Sequence, residues 1–520
     1  MPYQEPSIER QLVQSQREKK RALLFAKNPI KKVRIVKRVA GLTALFTGTL
    51  IIASIIWSNR MFSAKTLTQV VFHIKVPVSG SDEGILWNWI FQCVLSAVAI
   101  TMLIIVFTYK LYYAFSKKIG TYTEVLSYLG IGSLGLSFGY ALKNYGVLGY
   151  GFHNVQKTNL YDTYYVDPKS VSITFSKKRN LVHIFLESIE STYASSIAGG
   201  AYDTSYIPEL ETLAQNNIHF SHTDGLGGSR TVDGTQWTIA AMVAQTAGIP
   251  LTLPWYDQYY QPDSSFLPGC YTIGDILQEQ GYNQELLQGS DASFAATANY
   301  FKQHGNYTIM DYPRVKKEGR IDSNYHVFWG FEDEKLFSFA SEDILKLAAT
   351  NKPFNITMAT IDSHTPDGYL SSKGPNHFKK QYENVIAYQS MQVANFVAWL
   401  QQQSFYDNTT VVITGDHNSM SNKFFHTLDK NYIRTPYNVI LNAPIEPIQT
   451  KHRQFTTMDW FPTILAAMGA SIEGDRLGLG TNLFSSLPTL VEQKGLAYLN
   501  REVQKQATYY TKQILKGRPK

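Results

Sequence analysis

The chain has 520 residues, a formal net charge of +7 and two cysteines, a length that exceeds one ordinary domain. The charge is uneven: residues 1–38 carry eleven Lys or Arg against three Glu, a local +8, so the rest of the chain sums to −1. A basic tail on a near-neutral body, without a zinc-finger or RNP pattern, argues against a nucleic-acid binder, and Cys93 and Cys270, in no CxxC or zinc-like spacing, argue against a disulfide framework.

In chain order, the basic tail (1–38) is expected in the cytoplasm. It runs into Val39–Trp57, which holds no charged residue, and two further apolar stretches follow at Leu86–Tyr109 and Val125–Leu142. Each suits a helix crossing a hydrocarbon core of ~30 Å. Residues 39–142 therefore read as a membrane domain of three spans. Lys110, Lys117 and Lys118 after the second span, together with the tail, set the N-terminus inside. Three spans then deliver everything after about residue 143 to the outer side, periplasmic or extracellular. Residues 143–179 read as a connector, and residues 491–520 as a basic tail forming a solvated surface helix.

Between them, residues 180–490 alternate strands with helices. "NLVHIFLES", "ITMATIDSH" and "TTVVITGDHNSM" are short apolar runs ending in polar clusters. "IPELETLAQNN", "TIGDILQEQG" and "YQSMQVANFVAWLQQQ" place apolar residues three and four apart. This alternation predicts an α/β domain with a mostly parallel central sheet flanked by helices. Ligands in such folds gather at the carboxyl ends of the strands, and here those ends carry Glu187, Asp362, His364, Asp416 and His417.

Charge at the end of an apolar strand must be paired or bound to a metal. Asp416 and His417 can aim at one cation and Glu187 can join them, although Asp416 also reads as a helix cap. Two carboxylates, an imidazole and a hydroxyl form a hard, oxygen-rich set, which suits Mn²⁺ first, with Mg²⁺ or Zn²⁺ as alternatives. In "DGTQWTIAAMVAQ", Thr235 follows a glycine and precedes a helix-like run. At a helix N-terminus a threonine oxygen is either an ordinary cap or, beside a cation, a nucleophile for phosphorus held by unpaired N–H groups.

Taken in order, Glu187, "GTQWTIAAMVAQTAGIPL", "TIDSHTPDG", "TGDHNSM" and "TTMDWFPTILAAMG" resemble the alkaline phosphatase (sulfatase) superfamily. The resemblance is nearest to its membrane-anchored phosphoglycerol transferases and lipoteichoic acid synthases, in particular the glucan-modifying branch, and it covers roughly residues 180–470. It implies a sulfatase-like fold, metal ligands at Glu187, Thr235, Asp416 and His417, and Thr235 as nucleophile, with Thr231 as the competing alignment. It also implies substrate contacts from His364, Asp362, Gln288 and Ser290. Gln288 stands where the lipoteichoic acid synthases have His, and the Cys-x-Pro-Ser-Arg signature of true sulfatases is absent. The implied reaction takes glycerol phosphate from phosphatidylglycerol, releases diacylglycerol and delivers the group to a glycan or glycolipid. Lipoteichoic acid polymerisation, phosphoethanolamine transfer and a catalytically silent glycan-binding protein are the alternatives.

Overall fold

The computed structural model describes residues 15, 29–62, 66–76, 80–115, 121–254, 265–421 and 423–517. Most of the basic tail, Lys117, Lys118 and residues 518–520 lie outside the described residues. The chain divides into two compact units, Met1–Asn59 with Gly84–Tyr145 and Arg60–Glu83 with Gly146–Lys520.

The first unit is built on three long helices: α1 (Pro29–Met61), then, after a short helix α2 (Leu67–Lys75) that belongs to the second unit, α3 (Leu95–Phe115) and α4 (Tyr122–Asn144). The stretches Lys32–Met61, Gly84–Ala114 and Tyr122–Asn144 are long and apolar enough to cross a membrane. α1 and α4 approach closely through small residues, since a Cβ on Gly41 would lie 2.9 Å from the Leu126 backbone, and Gly48 faces Ser133. Such contacts let helix backbones pack where no hydrophobic force drives them together. Thr49 and Thr101 share a buried hydrogen bond of 3.0 Å, while Leu103, Phe107 and Leu136 stand exposed, as side chains that face lipid do.

The second unit holds a six-stranded sheet of β1 (Asn180–Leu186), β2 (Asn283–Gln288), β3 (Thr308–Met310), β4 (Phe354–Ala359), β5 (Thr409–Gly415) and β6 (Asn438–Leu441). The spatial order is β3-β2-β4-β1-β5-β6. The first five run parallel, and the edge strand β6 pairs antiparallel with β5. Every residue of β1 and β5 is buried, which requires a helical layer on each face. The flanking helices are α5 (Pro208–Asn216), α6 (Thr238–Ala247), α7 (Asp333–Ala348), α8 (Gln381–Gln401) and α9 (Trp460–Ala467).

The period-2 alternation of a strand divides the side chains between the two layers. Val182, Ile184 and Leu186 join Leu210 of α5, Leu336 of α7 and Val393 of α8. Leu181 joins Ile464 and Leu465 of α9, and Phe185 joins Met242 and Val243 of α6. Each such Val, Leu or Ile contributes ~1.5–3 kcal/mol when fully buried. Parallel pairing across β4, β1 and β5 leaves their carboxyl ends on one edge, which is where the polar clusters of the sequence emerge.

Two boundaries differ from the sequence expectation. Residues 143–179 are more than a connector: Leu160 and Tyr161 are buried in the same cluster as Val243 and Leu251, and Ile173–Phe175 pairs with Ala470–Ile472. Residues 491–515 are not a solvated tail, because Leu499, Val503, Ile514 and Leu515 fill that cluster too, and the Tyr510 hydroxyl donates to Pro250 O at 2.9 Å. The basic residues there hid an apolar side that the core covers.

Candidate active site

Glu187 follows β1 directly, and Asp416 and His417 follow β5, its parallel neighbour. Ligand atoms of these three buried residues lie within 4.8 Å of one another. His417 Nε2 is 3.4 Å from Asp416 Oδ2 and 3.8 Å from Glu187 Oε1. Backbone N–H groups of Ser188 and His417 donate to Asp416 Oδ1 at 2.8 and 2.7 Å, so that one oxygen is fixed. His417 Nδ1 lies 3.0 Å from Asn418 O. Donating its proton there leaves Nε2 with a lone pair aimed at the carboxylates. Ser188 adopts φ +56, the left-handed backbone that costs a non-glycine residue energy and that recurs at functional sites.

The hydroxyl that meets this cluster belongs to Thr238, whose Oγ1 is 3.2 Å from Glu187 Oε2 and 3.5 Å from His417 Nε2. Thr235 is elsewhere engaged: its fully buried hydroxyl donates to Val232 O at 2.9 Å and accepts from Val232 N at 3.1 Å, closing a tight turn. The competing Thr231 makes no hydrogen bond to the cluster among the described residues. The two threonines are three residues apart, and which of them meets the cluster has a physical cause. Gln236 and Trp237 do not start the helix, because Trp237 is extended (φ −143, ψ 159) and serves as its N-cap, so α6 begins at Thr238. Gly234, at φ +84, turns the chain there, and a Cβ would lie 3.0 Å from Pro250 Cβ. α6 ends at Gly248 in the left-handed conformation, a common helix stop.

Electrostatically the cluster is short of positive charge. Burial, then the neighbouring Glu187 carboxylate, pushes Asp416 up to about 7. Burial works against charge on His417, but Asp416 and Glu187 outweigh it and raise its pKa. Burial would also raise Glu187, yet His417, His364 and the Ser188 hydroxyl bring it below the usual carboxylate range. Asp416 Oδ2 is buried without a hydrogen-bond partner. Two carboxylates, an imidazole lone pair and a hydroxyl converging on one point, with an oxygen left over, fit a divalent cation.

The other residues singled out in the sequence separate into rim and interior. His364 is half-buried, close enough to Glu187 to act on its charge, and its ring packs edge-on against Trp329 at 4.8 Å. Gln288 ends β2 and donates to Ser290 Oγ at 3.0 Å. Asp362 is an interior acid: its Oδ2 accepts from Asp333 N at 3.1 Å, and burial, then Asp333, pushes it up to about 10. Burial thus favours the protonated acid, which holds a turn through Asp333 N.

The residues that fix Glu187 were not singled out at all. Thr360 Oγ1 accepts from Glu187 N at 2.9 Å, the Ser363 hydroxyl donates to Glu187 O, and Gln389 Nε2 donates to Thr360 Oγ1 at 2.6 Å. Ser363 lies within the quoted "TIDSH", and its place between two polar strand-end residues was the available signal.

The sulfatase family model matches residues 179–470. The chain is 30% identical over 331 residues to phosphoglycerol transferase I of Salmonella choleraesuis, covering 62% of this chain and 41% of that protein. It is 31% identical over 331 residues to the Escherichia fergusonii protein of the same name, with the same coverage. The chain therefore spans about two fifths of the length of these relatives. Among solved structures it is similar to the lipoteichoic acid synthase LtaP of Listeria monocytogenes (TM-score 0.46, 18% identity, 63% of this chain and 81% of that one). It is also similar to the lipooligosaccharide phosphoethanolamine transferase EptA of Neisseria meningitidis (TM-score 0.48, 13% identity, 83% and 84%).

Proposed function

Because the chain belongs to the sulfatase family, we propose that it transfers glycerol phosphate from phosphatidylglycerol to a cell-surface or periplasmic glycan or glycolipid through a phosphothreonine on Thr238. Relatives named phosphoglycerol transferase support the transferred group, and the three apolar helices support a membrane-anchored enzyme acting on a lipid donor. The observation that carries the reading is the Thr238 hydroxyl, at the first position of α6 and within hydrogen-bond reach of Glu187 and His417.

Glu187, Asp416, His417 and Thr238 would hold the cation, with Mn²⁺ as first choice for this oxygen-rich set. When bound it supplies Lewis-acid polarisation and lowers the pKa of an adjacent hydroxyl. Thr238 Oγ1 attacks phosphorus, and the bond from phosphorus to the diacylglycerol oxygen breaks. Glu187 Oε2, at 3.2 Å, is placed to take the threonine proton, and His364 on the rim to protonate the departing oxygen. Unpaired N–H groups in the first turn of α6 face the phosphoryl oxygens. An acceptor hydroxyl then attacks phosphorus and gives its proton to His364, the bond from phosphorus to Thr238 Oγ1 breaks, and the proton held by Glu187 returns to the threonine. The catalytic unit works on the outer side of the membrane, with the N-terminus inside.

Incubating the full chain in vesicles with fluorescent phosphatidylglycerol and Mn²⁺ tests the assignment. Wild type and Thr235→Ala are expected to release diacylglycerol, and Thr238→Ala to release none. Equal release by wild type and Thr238→Ala overturns the nucleophile. Release from phosphatidylethanolamine in place of phosphatidylglycerol overturns the transferred group.

A further inference from the structure

The segment between the first two apolar helices touches three loops around Thr238. Thr365, next to His364, donates its hydroxyl to Met61 O at 2.9 Å. Thr68, in the first turn of α2, donates to Asp233 Oδ2 at 2.6 Å. The rings of Phe72 and His73 lie 5.5 and 6.5 Å from that of Trp237, the residue before Thr238, and His73 stacks on Phe294 at 6.0 Å. A Cβ on Gly80 would meet Asp291 and Ser293 at 3.0 and 2.7 Å. Phe72 is fully buried, so α2 is seated in the second unit.

The contact at Asp233 matters most. The body of α6 is held on all sides, every residue from Ile239 to Ala247 being buried. The freedom that remains to Thr238 lies in the turn 232–237 before it. That turn contains Asp233, buried and with Oδ1 unpartnered, whose N–H donates to Asn500 Oδ1 at 2.8 Å. Its carboxylate accepts from the Thr68 hydroxyl, and the Thr66 hydroxyl and, from within the turn, the Gly234 N–H also favour its charge. A buried carboxylate without donors is costly, so the turn is held to α2.

We propose that α2 is a latch on the nucleophile turn, with Thr68 and Phe72 positioning residues that hold the turn 232–237, and through it the Thr238 hydroxyl, in line for attack. This rests on Thr238 as nucleophile. The segment joining two membrane helices is thereby part of the catalytic apparatus. A misplacement of ~1 Å at a reacting atom costs ~10²-fold in rate, which sets the scale of the effect.

The test uses the full chain in vesicles and compares wild type, Thr68→Val and Thr68→Ser by two readouts. The first is amide hydrogen exchange in residues 232–238, expected to quicken about tenfold in Thr68→Val with β1 and β5 unchanged, and to return to the wild-type rate in Thr68→Ser. The second is diacylglycerol release, expected to show kcat down about ten- to a hundredfold with KM within about twofold in Thr68→Val, and rescue in Thr68→Ser. Unchanged exchange in Thr68→Val overturns the latch, as does a loss confined to KM or one that the serine does not rescue. If wild type releases no diacylglycerol, the phosphoglycerol reading falls, and the exchange data still decide the latch.

Discussion

Two groups of buried carboxylates sit in one network and do opposite things. Glu187 and Asp416 converge with His417 and a hydroxyl, and Asp416 Oδ2 has no donor. The Asp333 carboxylate instead accepts from Ile361 N, Asp362 N and Gln389 Nε2 at 2.8, 3.1 and 3.1 Å, and Asp362 accepts from Asp333 N. The groups are joined, since Gln389 also donates to Thr360, which accepts from Glu187 N. Burial alone therefore does not make a cation site. Where donors answer the oxygens, as at Asp333, or a single oxygen is left over beside them, as at Asp362 Oδ1, a proton suffices. Where the oxygens are left facing one another, a cation is called for.

Removing a ligand should break this contrast most strongly. Asp416→Ala is expected to lower diacylglycerol release by about 10³-fold, the scale of lost transition-state electrostatics. Chelation should do the same to wild type and lower its Tm by mass action, while the Tm of Asp416→Ala ignores chelator. A wild-type Tm and rate indifferent to chelator would remove the cation from the cluster.

Asp333→Ala comes next. It strips three donors of their acceptor and should cost about 2–4 kcal/mol in denaturant unfolding, with the rate falling as the turn carrying His364 loosens. Asp362→Asn should have the smallest effect, within about 0.5 kcal/mol near pH 4, where the acid that the amide replaces carries its proton in the fold and is only beginning to lose it in the unfolded chain. The two proteins diverge with pH. Asp362 keeps its proton when folded up to about 10 but loses it near 4 when unfolded. Wild type accordingly loses stability as pH rises between these values. The asparagine does not, so its Tm relative to wild type climbs from pH 6 to 9. A flat difference would mean that Asp362 is ionised in the fold.

The same contrast explains what could be read from the sequence. Glu187, Asp416 and His417 were legible because an all-apolar strand fixes where its end falls, and parallel neighbours bring such ends together. Thr238 was not, because a second threonine, Thr235, and Gln236 stand between Gly234 and the helix, and the extended Trp237 decides where it starts. Asp362 was read as a substrate contact because its partner, Asp333, is 29 positions away in the chain at the start of α7. The sheet could be foreseen from three of its strands, whereas β2, β3 and β6 carry weaker patterns. α2 was not foreseen, since its nine residues bury one face against a surface that only the tertiary fold assembles.

The packing of the two ends of the catalytic unit bears on how the protein is made. Tyr161 stacks near Tyr509 and Tyr510, with ring centroids 6.5 and 5.1 Å apart, and Leu160 shares its cluster with Ile514 and Leu515. The core around α6 therefore closes only when residues near 515 pack beside residue 160, so the unit cannot complete its fold while its last segment is still being made. In that interval the apolar surface of α6 lacks its cover and needs shielding, which a holding chaperone can provide.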